Sequence, residues 1–254
     1  MAGKLWVVGL GPGSPQQLTP QAEEVVRTAD ELFGYGPYLD RIPTRPTQRR
    51  HASDNRQEIQ RATDALTAAY AGRAVAVVSG GDPGVFGMAA AVCEALERGP
   101  AEWRQVEIAI IPGVSAMLAV AARVGAPLGH DFCAISLSDN LKPWPVIEQR
   151  LELAATAGFV IAIYNPISRA RPWQHDRALA KLRSVLPDTT PVVFGRAAGR
   201  PDERITVTQL SDARGSDADM ATCIIIGSAE TRLVERPGVA PLVYTPRGTS
   251  RPAA

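Results

Sequence analysis

The chain is poor in the residues that build metal centres and disulfide frameworks. It has three histidines and three cysteines in 254 residues. His51, His130 and His175 show no ligand spacing, so a metal site is not expected. Cys93, Cys133 and Cys223 lie far apart among apolar neighbours, which fits a reducing compartment and predicts three small core residues. Neither sign of charge is in excess: 27 basic against 26 acidic side chains leave a net charge of +1. No overall field therefore recruits nucleic acid or an anionic membrane, and any anion must be recognised locally. No apolar run approaches the ~18 residues needed to span a bilayer. The opening residues lack the apolar core of a signal peptide, so a cytoplasmic location without a membrane partner is expected. Also missing are G-x-S-x-G, a G-x-x-x-x-G-K-[ST] phosphate loop and any recognisable Ser/His/Asp or Cys/His set.

What is present is the composition of a folded domain, 45% hydrophobic and 21% charged, arranged as alternating apolar runs and helical patterns. Ala74-Val75-Ala76-Val77-Val78 empties into Ser79-Gly80-Gly81-Asp82-Pro83-Gly84-Val85-Phe86-Gly87. A strand that ends in glycines and one carboxylate suits close approach of a small ligand, although an ordinary strand-to-helix turn would read the same way. Three further apolar runs end alike. Residues 4–10 run into Gly11-Pro12-Gly13, residues 105–111 into Pro112-Gly113-Val114-Ser115-Ala116, and residues 159–163 into Tyr164-Asn165-Pro166. Ser115 can cap the helix that follows, bind a ligand, or do both. In the first loop the third glycine comes one residue too early for a dinucleotide fingerprint, and Pro12 removes an amide that a pyrophosphate would use. Residues 41–56 carry Arg45, Arg49, Arg50 and His51 with little apolar content and read as a surface loop whose arginines are either solvated or carboxylate clamps. A proline-rich tail begins at Pro237. The alternation predicts an α/β protein of two domains, residues 1–115 and 116–254.

In this order and spacing the four strand-end motifs resemble the tetrapyrrole methylases, and the resemblance extends over essentially the whole chain. Ser136-Leu137-Ser138-Asp139-Asn140-Leu141-Lys142-Pro143-Trp144, Gly195-Arg196-Ala197-Ala198-Gly199-Arg200 and Tyr244-Thr245-Pro246-Arg247-Gly248 resemble, within that family, enzymes that methylate a precorrin carbon and contract the ring in cobalamin synthesis. The resemblance implies two α/β domains with mixed sheets, an active site in the cleft between them, S-adenosylmethionine as cofactor (S-adenosylhomocysteine as product), a tetrapyrrole substrate and a homodimer. Carried over by position, the cofactor residues would be Pro12, Gly80, Gly81, Asp82, Val85, Phe86, Ser115, Ala116, Tyr164, Asn165, Arg196, Ala197 and Thr222. Arg49, Arg50, Ser138, Lys142, Arg169 and Arg171 are candidates for the substrate, with Ser138, Asp139 and Lys142 also considered for proton transfer. Some relatives place a proton-accepting aspartate where Tyr35 stands here, so the catalytic acid and base stay unassigned. A methylase of the same fold for another corrin carbon, a diphthamide precursor or a ribosomal RNA ribose remains open, as does a dinucleotide-dependent oxidoreductase.

Overall fold

The structure, a computed structural model, describes residues 3–168 and 170–248. The chain divides into two compact units, Met1–Ala116 and Met117–Ala254. The first contains β1 (Lys4–Gly9), α1 (Pro20–Thr28), β2 (Glu31–Tyr35), α2 (Gly36–Leu39), β3 (Arg49–Ser53), α3 (Glu58–Tyr70), β4 (Ala74–Ser79), α4 (Met88–Arg98) and β5 (Glu107–Ile111). Its five strands form one parallel sheet in the order β3-β2-β4-β1-β5. Helices cover both faces, which is why β1 and β4 read as unbroken apolar runs. Leu5, Val7, Val75 and Val77 pack with α3 and α4, whereas Val8, Ala76 and Val78 pack with α1. Thr19 caps α1 by accepting from the Ala22 amide at 3.2 Å, with Pro20 in the first turn. From β1 the chain crosses toward β2, and from β4 it crosses the other way toward β5. Since β1 and β4 are neighbours, this sheet has its topological switch point at their carboxyl ends, where ligands bind in such sheets.

The second unit contains most of α5 (Ala116–Val124), then β6 (Gly125–Ala126), β7 (Phe132–Ser136), α6 (Trp144–Thr156), β8 (Val160–Tyr164), α7 (Gln174–Arg183), β9 (Pro191–Arg196), β10 (Arg204–Gln209), β11 (Thr222–Ile226), β12 (Arg232–Val234) and β13 (Leu242–Tyr244). Its larger sheet runs β10-β9-β11-β8-β7 and is mixed: only β7 and β8 are parallel. Ile161, Ile163, Val192, Phe194, Ile224 and Ile226 face Ile147, Leu151, Leu179 and Leu182 of α6 and α7. Helix α5 packs so closely on β9 that a Cβ on Gly195 would lie 2.1 Å from Val120 Cγ2. Among the described residues no helix is long and apolar enough to cross a membrane.

Several expectations are corrected. Residues 49–53 form an edge strand instead of surface loop, a reading hidden by the absence of branched apolar residues in Arg-Arg-His-Ala-Ser. Glu31 is buried beneath this strand and pairs with Arg73, His51 and Arg49, so β3 adds side-chain pairing through Arg49 and His51 to its backbone ladder with β2. Residues 34–38 also hold more structure than a loop, continuing β2 and opening α2. The proline-rich tail contains β13, which pairs with β12 and β6. Of the three cysteines only Cys223 is buried, its thiol pushed up to about 12 chiefly by burial. Cys133 is half-buried and Cys93 is exposed on α4.

The core of the second unit contains a titratable group. His175 is fully buried, with Nδ1 3.3 Å from the Gly215 carbonyl oxygen and its ring edge-on to Phe194. Burial is the main cause holding its pKa below the ordinary value; the Gly215 bond and the charges of Asp176 and Asp217 oppose it. A depressed histidine means that the unfolded chain takes up a proton that the native state refuses. The stability from neutral His175 is therefore complete above pH ~6.5 and is lost as pH falls. Thermal melts from pH 7.5 to 5 should show a decline that is flatter in His175→Phe. Equal slopes would exclude His175 as its source.

Candidate active site

At the switch point of the first sheet, the two glycine loops are joined. Leu10 N–H donates to the Ser79 carbonyl at 2.9 Å, Gly81 N–H to Gly11 O at 2.9 Å, and Gly11 N–H to Gly81 O at 3.2 Å. Gly11 and Gly81 both have φ of +66°, a conformation available at little cost only without a Cβ. A third loop enters from β5. A Cβ on Gly113 would stand 2.4 Å from Gly81 O and 2.9 Å from Gly9 Cα, and one on Gly9 would stand 2.7 Å from Gly113 N. Asp82 ties the loops together: Oδ1 accepts from Gly84 N–H at 2.8 Å and Oδ2 from Gly113 N–H at 3.0 Å. Each oxygen keeps a second lone pair for a ligand. Behind the first loop, Arg41 donates to Leu10 O at 2.8 Å and Gly11 O at 3.0 Å.

This edge brings together several residues that the sequence singles out. Pro12 is buried beside Gly11, and Gly80 faces the Tyr38 ring, 2.7 Å from where its Cβ would be. Gly81 is less crowded: a Cβ there would make ordinary van der Waals contact with Val114 O, Ser115 Cα and Ala116 N at 3.9 Å. Val85 N–H closes a turn on Asp82 O at 3.2 Å. Ser115 is buried and Ala116 opens α5. The same geometry disfavours a dinucleotide. The Leu10 and Gly11 amides are already used, Pro12 has none, and α1 starts only at Pro20, too late to offer its N-terminus to a pyrophosphate.

In the second unit the predicted residues also share one sheet edge. Because β11 runs against β8 and β9, its first residue lies at their ends, with Thr222 opposite Arg196. Asp219 organises this corner: its Oδ1 accepts from Thr222 Oγ1 at 2.8 Å and its Oδ2 from Arg196 Nε at 2.7 Å. Arg196 also donates to Asp202 at 2.7 Å, so this guanidinium serves the protein. Tyr164 Oη accepts from the Met117 amide at 3.0 Å, and Asn165 Nδ2 donates to Ser136 Oγ at 2.9 Å. Among the described residues four besides glycine have positive φ. Three are candidates, Phe86 (+53°), Asn165 (+51°) and Ala197 (+49°). Such conformations cost roughly 1–2 kcal/mol for an L-residue and concentrate at functional edges. Ala197→Gly should accordingly raise stability by about 1 kcal/mol, measured by denaturant midpoint. A destabilised variant would refute the strain.

The candidate substrate residues are less uniform. Arg50 spends its guanidinium on the carbonyls of Leu39, Ile42 and Pro43, and Arg49 lies 3.7 Å from Glu31. Arg171 is engaged with Asp139 and Asn140. Ser138 N–H donates to Ser136 Oγ at 3.3 Å, close to Asn165. Arg169 lies outside the described residues. The sequence reading did not mark Gly113, Arg41 or Asp219 as site-builders. Gly113 carried a signal in its place directly after an apolar run, whereas Arg41 stood in a stretch read as surface.

Glycine loops joined at a parallel switch point, with a carboxylate bracing backbone amides, define an α/β protein with the strand-end edge at which such sheets bind ligands. The family is specific: a model of the Tetrapyrrole (Corrin/Porphyrin) Methylases matches residues 4–214, and the chain belongs to that family. It is 68% identical over 247 residues to a precorrin-3B C(17)-methyltransferase of Sinorhizobium sp., covering 97% of each chain. It is 48% identical over 236 residues to the cobalamin biosynthesis protein CobIJ of Mycobacterium tuberculosis, covering 91% of this chain and 46% of that longer protein. The crystal structure of the methyltransferase CobJ matches with a TM-score of 0.91 at 48% identity, over 96% of this chain and 100% of that one.

Proposed function

We propose that this chain is an S-adenosylmethionine-dependent C-methyltransferase of cobalamin biosynthesis that methylates precorrin-3B at carbon 17 with contraction of the ring to precorrin-4. The observation that carries this reading is the 68% identity, sustained over 97% of both chains, to a precorrin-3B C(17)-methyltransferase. Gly81, with Val114, Ser115 and Ala116 across from it, supports the reading as a strand-end glycine beside which a small ligand can be seated. In the first unit Pro12, Gly80, Gly81, Asp82, Val85, Phe86, Ser115 and Ala116 are assigned to the cofactor, and in the second Tyr164, Asn165, Arg196, Ala197 and Thr222. When bound, S-adenosylmethionine supplies a methyl group already activated by its sulfonium.

The protein's part is then to align, hold and exclude water. Asp82 fixes the three loops and offers its remaining lone pairs to a hydroxyl or ammonium. Tyr35, at the end of β2 and edge-on to Tyr38, occupies the position where some relatives carry an acid, so no proton transfer is assigned to it. A cytoplasmic homodimer completes the reading, and light scattering on the eluted protein tests the dimer.

The deciding experiment gives the purified protein S-adenosylmethionine and precorrin-3B and follows the product by mass and absorption. A product heavier by one methylene, together with S-adenosylhomocysteine binding and none of NAD, is the expected result. Binding of NAD without binding of S-adenosylhomocysteine would overturn it.

A further inference from the structure

The loop between β7 and α6 is fastened at both ends. At its start, Asp139 Oδ1 receives Arg171 Nη1 at 2.5 Å and Gln174 Nε2 at 3.0 Å, while Arg171 Nη2 donates to Asn140 Oδ1 at 2.7 Å. The side chains of Asp139 and Arg171 are each only 20% exposed, so the pair works in a partly dry setting where charge-assisted hydrogen bonds hold geometry well. Arg171 is itself fixed by a backbone bridge to Ser168, its amide donating to Ser168 O at 3.0 Å. At the loop's far end Trp144 is buried edge-on to Trp173 at 4.8 Å, and the Arg177 guanidinium lies 5.6 Å from both rings. Between these fastenings stand Leu141, Lys142 and Pro143. Leu141 is 98% exposed, and no carboxylate among the described residues lies within ion-pair reach of Lys142. The loop leaves β7 at Ser136, whose hydroxyl also binds Asn165 and the Ser138 amide.

We propose that this latched loop is an element that selects the tetrapyrrole: Leu141 meets the face or rim of the macrocycle, Lys142 takes one of its carboxylates, and Arg171 is the positioning residue that holds both in place. The inference rests on the precorrin reading above and names residues that recognise that substrate. A tip fixed at both ends loses little further entropy on binding, which is how a single apolar side chain and one ammonium can discriminate. With no carboxylate among the described residues in ion-pair reach, Lys142 is short of counter-charge for an arriving carboxylate to supply; burial, with Arg150 nearby, pushes its pKa down, and such a partner would oppose that shift. Arg171 thus serves the substrate through Asp139 and does not clamp it directly.

The test compares Arg171→Gln, Arg171→Lys and Leu141→Ser with the unaltered enzyme, measuring KM and kcat for precorrin-3B, S-adenosylhomocysteine affinity by calorimetry, and amide hydrogen exchange over residues 139–142. Arg171→Gln should raise KM about tenfold, the scale of one charge-assisted hydrogen bond, and speed exchange in the loop. It should leave kcat and S-adenosylhomocysteine affinity near those of the unaltered enzyme, and Arg171→Lys should recover part of the loss. Leu141→Ser should raise KM with exchange unchanged, separating recognition from loop order. If Arg171→Gln speeds exchange but leaves KM alone, or if Leu141→Ser has no effect on KM, the inference is wrong while the precorrin reading stands. An unaltered enzyme that binds S-adenosylhomocysteine but does not turn over precorrin-3B overturns both.

Discussion

Gly113→Ala is expected to weaken S-adenosylhomocysteine binding by at least ~100-fold, because the new methyl group has nowhere to go. Its Cβ would be placed 2.4 Å from Gly81 O and 2.9 Å from Gly9 Cα, and both obstacles are main-chain atoms. Neither can yield easily. Gly81 is hydrogen-bonded to Gly11 in both directions, and Gly9 closes the register of β1 with Ser79. Relief must come from moving the β5 loop outward, which draws Gly113 N–H away from Asp82 and shifts Val114, Ser115 and Ala116, the residues across from Gly81. Titration calorimetry with S-adenosylhomocysteine, alongside a thermal melt to show that the variant folds, measures the effect. A folded variant with unaltered affinity would mean that this corner does not form the cofactor site.

Asp82→Ala should cost about as much by another route. It adds no clash but leaves two backbone amides, Gly84 and Gly113, without their carboxylate acceptor. Hydrogen bonds to a charged group are each worth roughly 1.5–3 kcal/mol, so losing both, roughly 3–6 kcal/mol, corresponds to a loss in affinity of at least ~100-fold. Asp82→Asn separates bracing from charge. Its carbonyl oxygen can still accept from one of the two amides, so it should fall between the parent and the alanine variant. If the asparagine variant binds as poorly as alanine, negative charge at the ligand outweighs the bracing; if alanine binds normally, Asp82 is only a turn residue.

The sequence made the strand-end loops legible because the signal is local: an apolar run stops, and glycine and proline follow at once. What it hid depends on partners distant in the chain. β3 has no apolar alternation: it is held by its backbone pairing with β2 and by Arg49 and His51, which reach Glu31, and those contacts exist only once β2 is beside it. β6, β12 and β13 are two or three residues long and are defined by pairing with one another. Arg171 reads in sequence as a candidate for the substrate, and only its contact with Asp139, across the space of two loops, shows that it serves the protein first. Cys93 has the apolar neighbours of a core residue but sits on the outward side of α4.

The order of strands in the first sheet bears on how this protein is made. Of the strands of this sheet β1 is made first, yet it lies inside the sheet, its Lys4 flanked by Ala74 on one side and Glu107 on the other. Until β4 and then β5 have been synthesised, both of its hydrogen-bonding edges are open, and its apolar residues have no sheet to join. Long-range parallel pairing of this kind is slow to form, and unpaired apolar strands attract one another. The same topology that gathers three glycine loops at one edge thus delays the completion of that edge until β5 and Gly113 have left the exit tunnel.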